Sequence, residues 1–389
     1  MKRTIRADHI GSFIRPRALL DEIHRIYEPG HTAKLKEERA KDATQLRQLE
    51  DAAIRDVLAR QESLGLQVVT DGEFRRLMYF NSFYDAVDGV APSTTKLQFR
   101  DDDGSIVEHE GPAAIAGRIV KTDSPAAREV AFLRPLTERA VKATFPTASF
   151  LVFQTLLGPA LSSGAYRSME EAADALVDVM RQLVDDAIEA GADYVQFDGS
   201  GYTIAAGPMG NVLRARGIDL PRLLDKMRQA DDRVVEGLPA HVTTCLHQCR
   251  GNYASRYLIK DDHFHEMSEA IFAMPYDRFT LEWDNRIERT EADYQALANV
   301  PKGGATVVLG VVSTKHPELE SEDQILATVE HAAKHIPIEQ LAISPQCGFA
   351  SALTSGDDGR PDGNIITEDT QWRKLDLLVR TAERIWGSA

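Results

Sequence analysis

Cysteine is scarce in this chain: three residues in 389, an odd number, which excludes a disulfide framework. No Cys-x-x-Cys knuckle occurs, so a structural zinc site built from two such knuckles is excluded as well. No stretch approaches the roughly eighteen consecutive apolar residues that span a bilayer. The opening Met-Lys-Arg-Thr-Ile-Arg has basic residues but no apolar region behind them. Positive charge is in deficit, with 45 Lys and Arg against 60 Asp and Glu and a formal net charge of −15. That balance argues against a nucleic acid or a membrane surface as partner. Internal repeats and low-complexity tracts are missing too. The expectation is a cytoplasmic protein whose thiols stay reduced. Its 43% hydrophobic content suffices for a large core, and a barrel with insertions absorbs residues 1–389 as a single unit.

Short apolar runs rich in Val, Ile and Phe alternate with longer amphipathic segments, the pattern of repeated β and α units. The runs are His9–Ser12, Gln67–Glu73, Ser149–Gln154, Asp193–Asp198, His241–His247, Phe279–Glu282, Thr306–Val312 and Leu341–Ser344. Eight such strands predict an α/β protein with a (β/α)8 TIM barrel. Residues Ser168–Ala190 carry Ala, Leu, Val and Met at three- and four-residue spacing, open with Ser168 and Glu171 at capping-box spacing and stop at Gly191. A second helix is predicted from Ser321, with Gln324 at the same spacing. Residues 31–60 are charge-rich and read as a solvated helix with one buried stripe. Residues 88–123 hold Asp-Gly, Asp-Asp-Asp-Gly-Ser and Glu-Gly-Pro turn signals around short alternating runs, predicting a hairpin insertion over one rim.

In such a barrel the chemistry sits at the C-terminal ends of the strands, which turns position into a filter. Ser12, Glu73, Asp198, His247, Cys249, Glu282 and Cys347 all pass it. His247 and Cys249, two apart in one strand, share a face and can bind one ion together. Glu282 and Cys347 from later strands complete a nitrogen, oxygen and two-sulfur set that Zn2+ accepts. Cys245 shares the Cys249 face in a regular strand and reads as a small core residue deeper in the barrel. Trp283, Phe74, Tyr79 and Phe80 lie near the rim, where packing is the commoner role and stacking on a flat donor the rarer one. For Glu73 and Asp198 the alternative is a salt bridge with Arg75 or Arg76.

On these residues the chain resembles the catalytic barrel of cobalamin-independent methionine synthase and its short relatives. The His-x-Cys pair, the strand-end Glu and the Pro-x-Cys-Gly turn of that family match His247, Cys249, Glu282 and Cys347. Its Ile-Gly-Ser, Gly-Glu and Ile-Gln-x-Asp motifs match Ile10-Gly11-Ser12, Gly72-Glu73 and Val195-Gln196-Phe197-Asp198. The resemblance covers about His9 to Ala350. It implies zinc held by the first four residues and a pocket of Ser12, Glu73 and Asp198 for the amino-acid part of homocysteine. Two carboxylates suit an ammonium group, and the serine with backbone amides suits a carboxylate. It also implies methyl transfer to a zinc-bound thiolate, hence methionine biosynthesis.

Two departures shape the expected reaction. The family's Val-Tyr-Asp-Ile-His segment, whose histidine serves the leaving group, stands here as Gly310-Val-Val-Ser-Thr-Lys315-His316, which makes Lys315 and His316 the catalytic candidates beside Asp198. The chain begins directly at the catalytic barrel, which implies a methyl donor other than polyglutamyl folate, with a corrinoid protein among the candidate carriers. Epoxyalkane:coenzyme M transferase, which opens an epoxide with a zinc thiolate, is the alternative enzyme. Its sulfonate-bearing thiol lacks an ammonium, so retention of Glu73 and Asp198 favours an amino-acid thiol. A zinc-stabilised methyl-carrier partner without turnover is the reading outside enzymes, because four protein ligands also suit a closed structural site.

Overall fold

The computed structural model describes residues 4–27, 43–93, 96–110, 113–206, 208–215, 217–259, 264–284, 289–350 and 364–389. Eleven strands are numbered here in chain order: β1 (Val68–Val69), β2 (Val87–Ala91), β3 (Lys96–Arg100), β4 (Ile106–Glu110), β5 (Ala114–Lys121), β6 (Ala140–Pro146), β7 (Tyr194–Gly199), β8 (Thr243–Gln248), β9 (Arg278–Glu282), β10 (Thr306–Val312) and β11 (Leu341–Pro345). Seven of them form one sheet in the order β1-β6-β7-β8-β9-β10-β11, every pairing parallel. The eighth strand position is the segment at Ala7, bridged in parallel to Ile343 of β11 through the Asp8 N–H to Ile343 and the Ile343 N–H to Arg6. Helices follow the strands on the outside, as parallel crossovers require. The fold is the expected (β/α)8 TIM barrel.

Two of the expected strands fall elsewhere. Ser149–Gln154 lies inside a helix, Ala148–Leu157, capped by the Thr147 hydroxyl, which accepts the Phe150 N–H. The third barrel strand is instead β6, whose charged Lys142 broke the apolar pattern; in the barrel its ammonium donates to Asp8 at 2.7 Å and to Gln196 at 2.8 Å. His9–Ser12 likewise follows the Ala7 bridge rather than forming the strand itself.

The helix after Ser168 spans Met169–Glu189 with the Ser168 hydroxyl accepting the Glu171 N–H, as its spacing requires. The Ser321 helix spans Glu322–Ala332, but Ser321 makes no side-chain cap bond. Of the charge-rich segment, residues 31–42 lie outside the described residues, and the remainder forms the helix Thr44–Ser63.

Parallel register stacks the inward residues of neighbouring strands in layers. Ile5, Val68, Ala140, Tyr194 and Cys245 fill the lowest layer, which places Cys245 in the core as expected. Above them Asp8 gathers Lys142, Tyr194 and Arg278, a buried polar plug with its charges paired. Gln196 joins this plug to the next layer, since its amide donates to Asp198 at 2.8 Å.

The predicted insertion is two antiparallel ribbons, β2 with β5 and β3 with β4. The second ribbon bends over the barrel mouth: Arg100 pairs with Tyr257, Asp101 bonds Arg256 at 2.8 Å, and Asp102 lies 3.4 Å from His316. No helix among the described residues is long and apolar enough to cross a membrane.

Candidate functional site

At the C-terminal ends of β8, β9 and β11 the chain brings His247, Cys249, Glu282 and Cys347 together, with donor atoms all within 4.8 Å of one another. The pleat does this: Cys245, His247 and Cys249 succeed each other on one face of β8 and its extension, and β9 supplies Arg278, Thr280 and Glu282 at matching heights. The Cys249 and Cys347 sulfurs are 3.4 Å apart. His247 Nδ1 lies 3.2 Å from the Thr280 carbonyl, which orients the ring. Its Nε2 is buried without a hydrogen bond. A buried imidazole nitrogen with no hydrogen-bond partner, facing two thiols and a carboxylate, has the placement and chemistry of a metal ligand. The donor set therefore fits zinc chemically and sterically, and Cys249, the one donor that is only half-buried, marks the open side.

The charges around the cluster point the same way. Glu282 Oε1 accepts the Arg250 backbone N–H at 2.6 Å, and Oε2 accepts from Gln346 at 2.8 Å and from Lys315 at 3.3 Å. Burial opposes ionisation of Glu282, but Lys315 and Arg250 outweigh it and hold its carboxyl below the ordinary range. Lys315 has no solvent exposure; burial works against its charge, and Glu282 with Cys347 more than restores it, raising its pKa. Of the two thiols, Cys347 ionises first. The Cys249 S–H donates to it and His247 assists, drawing its pKa well below the usual thiol range despite burial. The same hydrogen bond and burial push Cys249 up.

Asp198 pairs in register with His247 across β7 and β8, so its carboxylate borders the cluster. Burial pushes its pKa up to about 7; His247 opposes this and Glu73 adds to it. Glu73 reaches the same mouth from a turn in which both Gly72 (φ 74°) and Glu73 itself (φ 60°) adopt left-handed backbone. A non-glycine residue held there carries strain that the surroundings must fix; the Glu73 N–H donates to Asp71 at 2.9 Å. The Glu73 carboxylate accepts from Thr144 at 2.6 Å and lies 3.4 Å from Arg76, both through Oε1. The salt-bridge alternative thus holds in part for Glu73 with Arg76, while Arg75 pairs with Glu50 and Asp51. Ser12 sits against the Cys347 turn: its hydroxyl accepts the Ala350 N–H at 3.3 Å and its carbonyl the Phe349 N–H at 3.0 Å.

Lys315 and His316 are separated in role by one residue. Lys315 points into the donor cluster, whereas His316 faces the insertion, with Nε2 3.3 Å from the Tyr257 hydroxyl and Nδ1 3.4 Å from Asp102. Gln346, Arg250, Tyr257 and Thr144 escaped the sequence reading. Gln346 was findable, since it precedes Cys347 and shares its turn; the others lie on no motif. Trp283, Phe74 and Phe80 are core residues, Trp283 packing on Phe264 and Tyr294 and Phe80 on Phe150. Tyr79 is half-buried, and the charges of Cys249, Asp198 and Cys347 all act on its hydroxyl.

A (β/α)8 barrel with polar residues converging at the C-terminal rim defines the class, one whose chemistry is done at that rim. Residues 28–355 match the cobalamin-independent synthase catalytic domain, and the chain belongs to that family. It is 28% identical over 395 residues to the uncharacterized protein YxjH of Bacillus subtilis, covering 99% of this chain and 96% of the relative. A Listeria monocytogenes structure, described as a candidate vitamin-B12 independent methionine synthase, is similar with a TM-score of 0.71 and 26% identity, 100% of each chain being covered. A B12-independent methionine synthase from Shewanella sp. W3-18-1, in complex with selenomethionine, shares the fold with a TM-score of 0.70 at 18% identity, with 98% of each chain covered. The family reaction is methyl transfer to homocysteine.

Proposed function

We propose that the chain is a zinc-dependent S-methyltransferase that converts homocysteine to methionine, acting as one catalytic unit. The observation that carries the reading is the orphaned His247 Nε2 facing Cys249, Cys347 and Glu282, with Asp198 one strand over. Zinc bound by these four would supply a Lewis acid that keeps a substrate thiol ionised at neutral pH, where a free thiol, with pKa about 8.5, is mostly protonated.

The residues divide the remaining work. Glu73 Oε2 and the Asp198 carboxylate receive the substrate ammonium, and the Ser12 hydroxyl, which accepts the Ala350 N–H and keeps its own hydrogen to donate, receives its carboxylate. Two thiolates and Glu282 would carry three negative charges against two on zinc, and the buried Lys315 ammonium balances the remainder. Gln346, Lys315 and the Arg250 N–H are already placed to hold Glu282 if the incoming thiol displaces it. His316, held between Tyr257 and Asp102, is placed to exchange a proton with the donor's leaving group. The donor we infer is a methyl carrier other than polyglutamyl folate, a corrinoid protein being one candidate, because a lysine bound to Glu282 stands where the family has its leaving-group histidine.

Elemental analysis, followed by X-ray absorption at the zinc edge during a homocysteine titration, tests the reading. A rim zinc that gains a sulfur neighbour on adding homocysteine supports it. Zinc that ignores homocysteine but gains sulfur from coenzyme M moves the assignment to epoxide opening. Zinc that ignores both thiols, with unfolding on chelation, leaves a structural site.

A further inference from the structure

A second cluster of metal-binding side chains lies apart from the rim residues. Glu291 opens the helix Glu291–Ala296, which follows β9, and a reciprocal capping box between Thr290 and Asp293 fixes that helix start. His331 lies in the last turn of the helix Glu322–Ala332, which follows β10, and His335 comes four residues later. Glu291 Oε2 is 2.9 Å from His331 Nε2, and Oε1 is 3.3 Å from His335 Nε2. The Tyr294 ring stacks on His331 at 4.0 Å and 5°, locking the imidazole plane.

An ion pair alone explains little of this arrangement. One protonated histidine would satisfy Glu291, yet two rings turn the same nitrogen toward it, one to each oxygen. The His335 Nε2 is buried and, although near the carboxylate, is too misaligned to form a hydrogen bond. Among the described residues the same condition marks His247 Nε2 in the rim cluster and His9 Nδ1, and of these three histidines His247 and His335 stand in clusters of metal-binding side chains. Bonds of about 2.1 Å in tetrahedral geometry place donors about 3.4 Å apart; one ligand atom from each of the three residues lies within 4.8 Å of the others, so a small closing movement brings them to that spacing. With Glu291, His331 and His335 side chains 55%, 35% and 20% exposed, an ion reaches them directly from solvent.

We propose that Glu291, His331 and His335 form a second cation site, separate from the rim. Two imidazoles and one carboxylate select zinc-class divalent ions such as zinc, cobalt or nickel over magnesium and calcium, which take oxygen ligands. Water fills the remaining position. The bound ion ties the segment after β9, the strand that ends in Glu282, to the helix after β10, the strand that leads to Lys315.

Cobalt(II) titration of the metal-free protein, followed by absorption spectroscopy, separates the two sites. Thiolate ligands give intense sulfur-to-metal charge-transfer bands, which a nitrogen and oxygen site lacks. The expected result is two equivalents bound, one with those bands and one with only weak d–d absorption. Glu291→Gln and His335→Gln each abolish the second equivalent and leave the first. Cys347→Ser does the reverse, so loss of the rim assignment and loss of this one are distinguishable. A single equivalent that carries the charge-transfer bands overturns the inference, as does a second one unaffected by either variant or saturating only above about 1 mM cobalt.

Discussion

Lys315→Met isolates the charge balance on which the rim site rests. The ammonium and the Glu282 carboxylate are 3.3 Å apart with both side chains wholly buried. At an effective dielectric constant of about 20 their attraction is about 5 kcal/mol, and removing one partner of a buried pair costs about 3–5 kcal/mol because the other is left uncompensated. Gln346 and the Arg250 N–H stay on the carboxylate, so the low end, about 3 kcal/mol, is expected. Methionine replaces most of the alkyl chain, which keeps cavity effects small. The assay is urea unfolding of the metal-free protein at pH 7. The Glu282 pKa is depressed in the fold, so its paired contribution is present above about pH 4.5 and is lost as pH falls through the folded value. The Lys315→Met deficit should therefore be full at pH 7 and shrink under acid. Glu282→Gln in the same chain should restore at least half of it, since the uncompensated charge is then gone. Zinc loading should also narrow the gap, the ion replacing the ammonium as counter-charge. A metal-free Lys315→Met protein within about 0.5 kcal/mol of the wild type, the range of an ordinary surface change, or additivity in the double variant, refutes the pairing.

Three further perturbations address the ligand set, the pocket and the turn that presents Glu73. Cys347→Ser should lose the rim zinc and all methyl transfer while circular dichroism shows an intact barrel; full rim zinc content removes Cys347 from the ligand set. Asp198→Asn should raise the homocysteine dissociation constant at least tenfold, about 1.4 kcal/mol, with zinc content unchanged, and equal affinity in calorimetry breaks the ammonium assignment. Asp71, whose Oδ2 is buried without a hydrogen bond, has its pKa pushed up from 3.8 to about 7, chiefly by burial and then by Glu129. A raised acid stabilises the fold while neutral: its contribution is complete below about pH 3.8 and is lost as pH rises through about 7. Asp71→Asn keeps the Oδ1 that accepts the Glu73 N–H, so its stability relative to the wild type should climb between pH 4 and 8 by up to about 4 kcal/mol. A pH-independent difference in denaturation midpoint counts against the shift.

What could be read from the chain and what could not divide along one physical line. His247, Cys249, Glu282, Cys347 and Asp198 were legible because each ends an apolar run, and a strand's alternation then dictates which side chains meet. The third strand was not, because β6 carries Lys142, a charge that only its burial against Asp8 and Gln196 makes tolerable and that no periodicity announces. The run Ser149–Gln154 took its place in the reading because a short unbroken apolar segment is equally a strand or a buried helix; Pro146 and the Thr147 cap were the available discriminators. Lys315 shows the limit from the other side. Register marked it as catalytic, and the fold does bring it to the site, but its 3.3 Å contact with Glu282 fits a fixed counter-charge better than a group that cycles its proton. That distinction requires knowing that Lys315 is wholly buried while His316 meets the tip of an insertion more than two hundred residues earlier in the chain. The counter-charge reading assigns the proton chemistry of this rim to the pair at its edge, His316 and Asp102, and makes the insertion part of the proposed active site rather than a cover over it.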